Sequence, residues 1–147
     1  EAVWAYIVGH GRFWMQAKPF PEATALVNFC SEEACGNVYF VTDRPGNEAK
    51  MYTEHWLEGR VLDWPWTHPA VLQAQHSKGL FVEPLGLTHF IEDKREHAVA
   101  VAACGAKSYL LDRPYNQGPS ENITRVKDIS ELLEVLSEDF RQRGYAR

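Results

Sequence analysis

The stretch FIEDKREHAVAVAACGAKSYLLDRPYN, Phe90 to Asn116, decides how this chain is read. An apolar run, Thr88-His89-Phe90-Ile91, stops directly at two acids, Glu92 and Asp93. A charged turn follows. Arg95 to Cys104 is rich in small apolar residues and reads as a helix, and Lys107 to Leu111 reads as a second short strand. Asp112 to Asn122 is loop chemistry, with Pro114, Gly118 and Pro119. Strand, helix and strand in close succession predict a βαβ unit and therefore parallel pairing.

The same alternation extends outward. Ala70 to Ala74 reads as a strand and Ser77 to Gly86 as a short helix. Asn37 to Val41 is a β-rich apolar run, expected to be buried, and Thr42 to Gly46 breaks it. Pro21 and Glu22 suit the first turn of a helix carrying Ala25, Leu26 and Phe29. Glu48 to Glu58 reads as a helix with Met51, His55 and Trp56 near one face. Glu1 to Ile7 reads as an amphipathic helix, and Arg60 to Pro69 as an irregular, Trp- and Pro-rich surface loop. Ile129 to Arg143 is a closing amphipathic helix, with Ile129, Leu132, Leu133, Leu136 and Phe140 at helical spacing. No repeat or linker divides the sequence, so one domain over 1–147 is expected. Short apolar strands alternating with helices predict an α/β fold, a parallel sheet with helices on both faces.

Composition narrows the partners. The 147 residues are 45% hydrophobic and 24% charged with a net charge of -5, an ordinary globular mixture. No Lys/Arg-rich run is present, so no nucleic acid polymer is expected as a partner. Apolar runs such as Ala98 to Cys104 are too short for a bilayer, so no membrane partner is expected either. No signal-peptide pattern opens the sequence, and Cys30, Cys35 and Cys104 lack framework spacing. A cytoplasmic chain with reduced thiols is the expectation. A zinc site at Cys30 and Cys35 would need a second ligand pair, and none stands nearby.

Parallel α/β sheets bind ligands outside the carboxyl ends of their strands. Three successive strand ends carry polar side chains. Adjacent acids such as Glu92 and Asp93 repel and need a cation or a basic partner. Magnesium would serve, because it prefers carboxylate oxygens and keeps waters that a phosphate can replace. The alternative is capping, with Asp93 as N-cap of the next helix. Thr42 could donate to a phosphate oxygen or simply start a turn. Lys78 stands near a helix start, against the helix dipole, which a neighbouring anion would explain; a solvated lysine is the alternative.

The order Thr42, Lys78, Glu92-Asp93 resembles motifs two, three and four of the haloacid dehalogenase-like (HAD) hydrolases, most closely the 5'(3')-deoxyribonucleotidase group and its phage and bacterial relatives. GRFWMQAKPFPEA, VYFVTDRP, KMYTEHWLEGR and the long run from His76 to Asn116 carry the likeness, which covers nearly the whole chain. The resemblance implies a three-layer Rossmann-like fold with a minimal helical cap, whose remnant would be residues 1–20. It implies magnesium-dependent phosphomonoester hydrolysis through a phospho-aspartyl intermediate. Thr42 would bond the phosphoryl oxygens, Lys78 would hold nucleophile and phosphate, and Asp93 would bind magnesium with Glu92 supporting it. Phe13 and Trp14 would stack on the nucleobase of a small nucleotide substrate, or else pack with Trp4 and Tyr6. Arg44 would reach the phosphate or ribose, unless Asp43 occupies it. His97 would be either a partner behind the metal or a solvated histidine.

One motif is missing. The family's Asp-x-Asp should come first, yet no Asp precedes Asp43. Either the catalytic strand lies upstream of Glu1, to be supplied by a further segment or by another chain in a homo-oligomer, or Gly9-His10-Gly11 has replaced it. The first case implies a phosphatase; the second implies a non-catalytic binding or scaffold protein.

Overall fold

The computed structural model describes residues 11–63 and 69–143. The expected helix over 1–7, the Gly9-His10 alternative, Trp4, Tyr6 and the Trp64-Pro65-Trp66 loop lie outside the described residues. The chain divides into two compact units, Glu1–Gln75 and His76–Arg147.

In the first unit a 3-10 turn spans Gly11–Gln16. Helix α1 covers Ala23–Glu33, with Glu22 as its N-cap. Pro21 thus precedes the cap instead of entering the first turn, because the first helical bond runs from Leu26 N–H to the Glu22 carbonyl. Strand β1 is Tyr39–Thr42, helix α2 is Ala49–Arg60 and strand β2 is Ala70–Gln73. The strands pair in parallel, Tyr39 opposite Ala70 and Thr42 opposite Gln73. Within this unit β1 is half-buried along its whole length, less covered than its apolar sequence predicts. Ala49, Thr53 and Leu57 are the buried residues of α2, while Met51 and His55 are exposed. Leu57, Val61 and Val71 form the core, with Val27, Phe40 and Trp56 packed against them.

In the second unit a 3-10 turn, Lys78–Phe81, runs into the short helix α3, Val82–Leu85. Gly86 ends it in the left-handed region at φ 61, a conformation glycine adopts without a Cβ penalty. Strand β3 is His89–Glu92, helix α4 is Arg95–Ala103 and strand β4 is Lys107–Leu111. Strand β5, Ile123–Val126, and helix α5, Ile129–Gln142, close the unit. The sheet order is β3-β4-β5, parallel throughout. Strand β5 begins just past the loop expected over Asp112 to Asn122, in a stretch to which the sequence reading assigned no element.

Side-chain alternation gives the sheet two chemically distinct faces. His89 and Tyr109 bond to Asp139 of α5, so the odd-numbered residues of β3 and β4 face that helix. Phe90, Glu92, Ser108 and Leu110 take the other face, all buried, and α4 packs against β3 and β4. Leu132 and Leu136 of α5 are fully buried, as their helical spacing predicts. Asp128 caps α5 by accepting from Glu131 N–H at 2.9 Å. This unit is thus helix on sheet on helix, and both units are α/β with parallel sheets. Among the described residues no helix is long and apolar enough to cross a membrane.

Candidate functional site

The two acids that end β3 meet different fates. Glu92 is the last strand residue, 5% exposed; Asp93 stands one step beyond the sheet and is exposed. Lys78, itself only 7% exposed, donates through its ammonium to Glu92 Oε2 at 2.7 Å. Glu92 Oε1 accepts the backbone N–H groups of Asp93 at 2.9 Å and Lys94 at 3.1 Å. Three donors therefore satisfy the buried carboxylate. Burial pushes the Glu92 carboxyl above its ordinary range, with Lys78 pulling the other way.

The capping alternative for Asp93 is corrected by this geometry. Lys94 is the N-cap of α4 and makes no side-chain cap bond. The Asp93 carboxylate instead accepts from the Tyr115 hydroxyl at 2.6 Å. Burial would raise Asp93, yet hydrogen bonding from Tyr115 and the charge of Lys78 hold it below the usual carboxylate value. Desolvation and the Asp93 bond push the Tyr115 phenol up to about 12.

Lys78 owes its place to a close approach. The 3-10 turn presses on α4 at Gly79, where an added Cβ would lie 2.9 Å from the Ala100 carbonyl oxygen and 3.1 Å from Cys104 Sγ. Ser77 holds the turn's start, its hydroxyl accepting Gly79 N–H at 3.2 Å.

In the first unit Thr42 ends β1. Its Oγ1 accepts the Arg44 N–H at 3.2 Å, closing a turn while leaving the O–H proton unspent. The Arg44 guanidinium lies 4.7 Å over the Trp14 ring and 5.9 Å from the Trp56 ring, and donates to Thr53 Oγ1 at 3.1 Å. Phe13 meets Trp14 edge to face at 5.4 Å and presents an exposed ring. Arg44, Trp14 and Phe13 are therefore brought together, and Lys78, Glu92 and Asp93 are brought together within the second unit. His97 is half-buried one turn into α4.

Magnesium takes oxygen ligands and commonly binds one or two carboxylates beside waters and phosphate oxygens. Asp93 offers one exposed carboxylate suited to that role. Glu92 is filled by its three donors and suits support better than ligation. Among the described residues no group of three His, Cys, Asp or Glu side chains is placed to hold a metal. The donor set fits a cation shared with a phosphate and does not fit an all-protein cage. Burial pushes the Cys30 thiol up to about 11, far from the thiolate that zinc requires.

Sequence reasoning included Tyr115 and Asn116 in the stretch that carries the resemblance but gave them no role, although both stand in the loop immediately after β4. It overlooked Asp139, buried at 7% exposure and bonded to His89, Lys107 and Tyr109. A charged residue within the apolar stripe of α5, three positions after Leu136, was the available signal. An open cavity of about 690 Å³ lies beside this cluster, lined by Lys107, Ile123, Thr124 and Glu134 among others. Lys107 and Ile123 begin their strands, so the cavity sits at the amino ends, opposite the Glu92-Asp93 end.

Comparison with known proteins adds one relative. The chain is 25% identical over 148 aligned residues to a protein of Halalkalibacterium halodurans that bears the name putative nucleotidase, a match spanning 99% of this chain and 73% of that protein. No family model matches the sequence, and no solved structure matches it.

Proposed function

We propose that this chain is the larger part of a magnesium-dependent phosphomonoesterase acting on (deoxy)nucleoside monophosphates, of the HAD-like type that its motifs resemble. The observation that carries the reading is the buried Lys78–Glu92 pair with Asp93 beside it, all at the carboxyl end of a parallel strand. That is where such sheets gather ligands. The similarity to a protein named as a nucleotidase points to the same substrate class.

Each residue receives a role. Of the three N–H donors on the Lys78 ammonium, one goes to Glu92 and the others are offered to a phosphoryl group. Glu92 supplies the counter-charge that a buried ammonium needs. Asp93 holds magnesium, which when bound would neutralise charge on the phosphoryl oxygens. Within the first unit, Thr42 has an O–H able to donate to a phosphate oxygen, and Phe13 an exposed ring able to stack on a base. The attacking carboxylate is assigned to an Asp-x-Asp segment outside these 147 residues. A specific observation favours a second reading, that of a non-catalytic binding or scaffold protein. Glu92 is fully satisfied within the chain, as the acid of a purely structural ion pair would be.

The test uses the full-length natural protein, with its intact mass measured. Deoxynucleoside monophosphates are offered with and without magnesium, beside Asp93→Asn and Lys78→Ala variants shown to be folded by circular dichroism. Magnesium-dependent release of phosphate, lowered on the order of a hundredfold or more in both variants, is expected. Folded wild-type protein without turnover sinks the enzyme reading in favour of the second.

A further inference from the structure

The loop after β4 reaches across the sheet to β3. Asn116 is only 3% exposed and uses its whole amide. Its Nδ2 donates to the Asp93 carbonyl at 2.7 Å and to the Leu111 carbonyl at 2.7 Å. Its Oδ1 accepts Arg113 N–H at 3.1 Å and Arg125 Nη1 at 2.8 Å. The Arg125 guanidinium, from β5, also donates to the Asn116 carbonyl at 3.0 Å and pairs with Asp112 at 2.7 Å. Arg95 Nε fixes the far side of the loop, donating to the Pro119 carbonyl at 2.6 Å. Within this braced loop, neighbouring residues grip Asp93 at two points. Asn116 takes its backbone carbonyl, and Tyr115 takes its carboxylate at 2.6 Å.

This division has a physical purpose. A residue one step beyond a strand has lost the ladder that would fix its backbone. A carboxylate there is free to rotate unless something holds an oxygen. Tyr115 leaves its ring 67% exposed while committing its hydroxyl to that oxygen. The hydroxyl bond ties this exposed ring to the strand end.

We propose that Tyr115 and Asn116 are positioning residues for Asp93, Tyr115 aiming its carboxylate and Asn116 fixing its backbone, so that it can hold a divalent cation. The proposal rests on the phosphatase reading. Partners that orient ligating carboxylates typically contribute 10–100-fold in metal affinity or activity, and about that change is expected here.

The test uses full-length protein with Tyr115→Phe and Asn116→Asp. The first removes one hydroxyl from an exposed ring. The second keeps the acceptor side of the amide and removes both donors. The expected result is a half-saturating magnesium concentration for turnover raised about 10–100-fold in each, with the fold intact by circular dichroism. Binding of manganese, followed by its electron paramagnetic resonance signal, should weaken in parallel without any substrate. An unchanged metal response in folded Tyr115→Phe overturns the proposal. A wild-type protein with no magnesium-dependent turnover overturns the phosphatase reading instead. Amide hydrogen exchange at residues 93–95 then decides the grip by itself. Faster exchange in Asn116→Asp supports it, and unchanged exchange overturns it.

Discussion

Replacing Lys78 by methionine should cost the protein about 3 kcal/mol of stability at neutral pH, the lower end of the range for stripping one partner from a buried pair. The magnitude follows from burial. The two side chains are 9% and 3% exposed at a 2.7 Å separation, so surface screening does not apply. An exposed pair would be worth about 1 kcal/mol at most. Methionine keeps the length and apolar stem of lysine and removes only the ammonium. Glu92 retains the Asp93 and Lys94 amides, which is why the lower end is expected. The sign with pH follows from Glu92, whose folded pKa already lies above its ordinary 4.5 because of burial. A raised folded pKa gives stability that is present below the unfolded value and lost as pH rises through the folded value. Removing Lys78 raises Glu92 further, so the deficit of the variant should widen as pH rises above the ordinary carboxyl value of 4.5. Urea unfolding followed by far-ultraviolet circular dichroism is the assay. Tryptophan fluorescence does not serve, because all five tryptophans fall at positions 4–66, in the first unit. The double variant Lys78→Met, Glu92→Gln should recover most of the loss. A single-variant cost below about 1 kcal/mol, or a double variant no more stable than the single, would refute the reasoning.

Three further outcomes are expected. Gly79→Ala should cost about 1–3 kcal/mol by overpacking, read by the same urea titration. Cys104→Ala should not rescue it, because the nearest atom is the Ala100 carbonyl oxygen of the backbone, 2.9 Å away. Arg44→Lys should lower stability by about 1 kcal/mol and change the tryptophan emission, since lysine cannot both stack on Trp14 and reach Thr53 as the planar guanidinium does. Against burial, which raises it, hydrogen bonds from Lys107, Tyr109 and His89 hold Asp139 down at about 2, below its ordinary 3.8. A depressed carboxylate gives stability present above its unfolded pKa and lost as pH falls through its folded one. Wild-type stability should therefore drop between pH 4 and pH 2 more steeply than that of Asp139→Asn; parallel curves would remove Asp139 from the account.

The fold was legible where period and length agreed. Lys107 to Leu111 has the strand's bounds in sequence and structure alike, and the parallel βαβ unit around it follows from composition and short connections. Strand β5 was not legible. Four residues, Ile-Thr-Arg-Val, follow a run of turn chemistry that continues to Asn122, itself at φ 61, and an arginine breaks the apolar signal. That arginine is the one that braces the β4–β5 loop through Asp112 and Asn116, so the residue that ties the loop down also hid the strand. At the site, strand-end logic reached Lys78, Glu92 and Asp93. It could not reach Tyr115 and Asn116, whose bonds to Asp93 span a loop and have no periodic trace.

The two acids of β3 are chemically alike and adjacent, yet the strand's end makes them different groups. Alternation sends Glu92 to the face shared with Phe90, in register with Leu110, where no water can solvate it. Only a fixed cation and the following amides can satisfy it there, and Lys78 is brought in by the glycine contact with α4. Asp93 escapes the sheet and meets a phenol instead. Their pKa values move in opposite directions in consequence, Glu92 up and Asp93 down. Two carboxyls driven apart in this way are suited to different work, the general condition for acid–base and ligand roles at one site. Glu92 is suited to holding a positive charge in place, and Asp93 to remaining ionised and accessible. An isolated capping box would need neither the buried lysine nor the tyrosine. The cost of burying the one and exposing the ring of the other is what a sheet end shaped for an anion and its cation would carry.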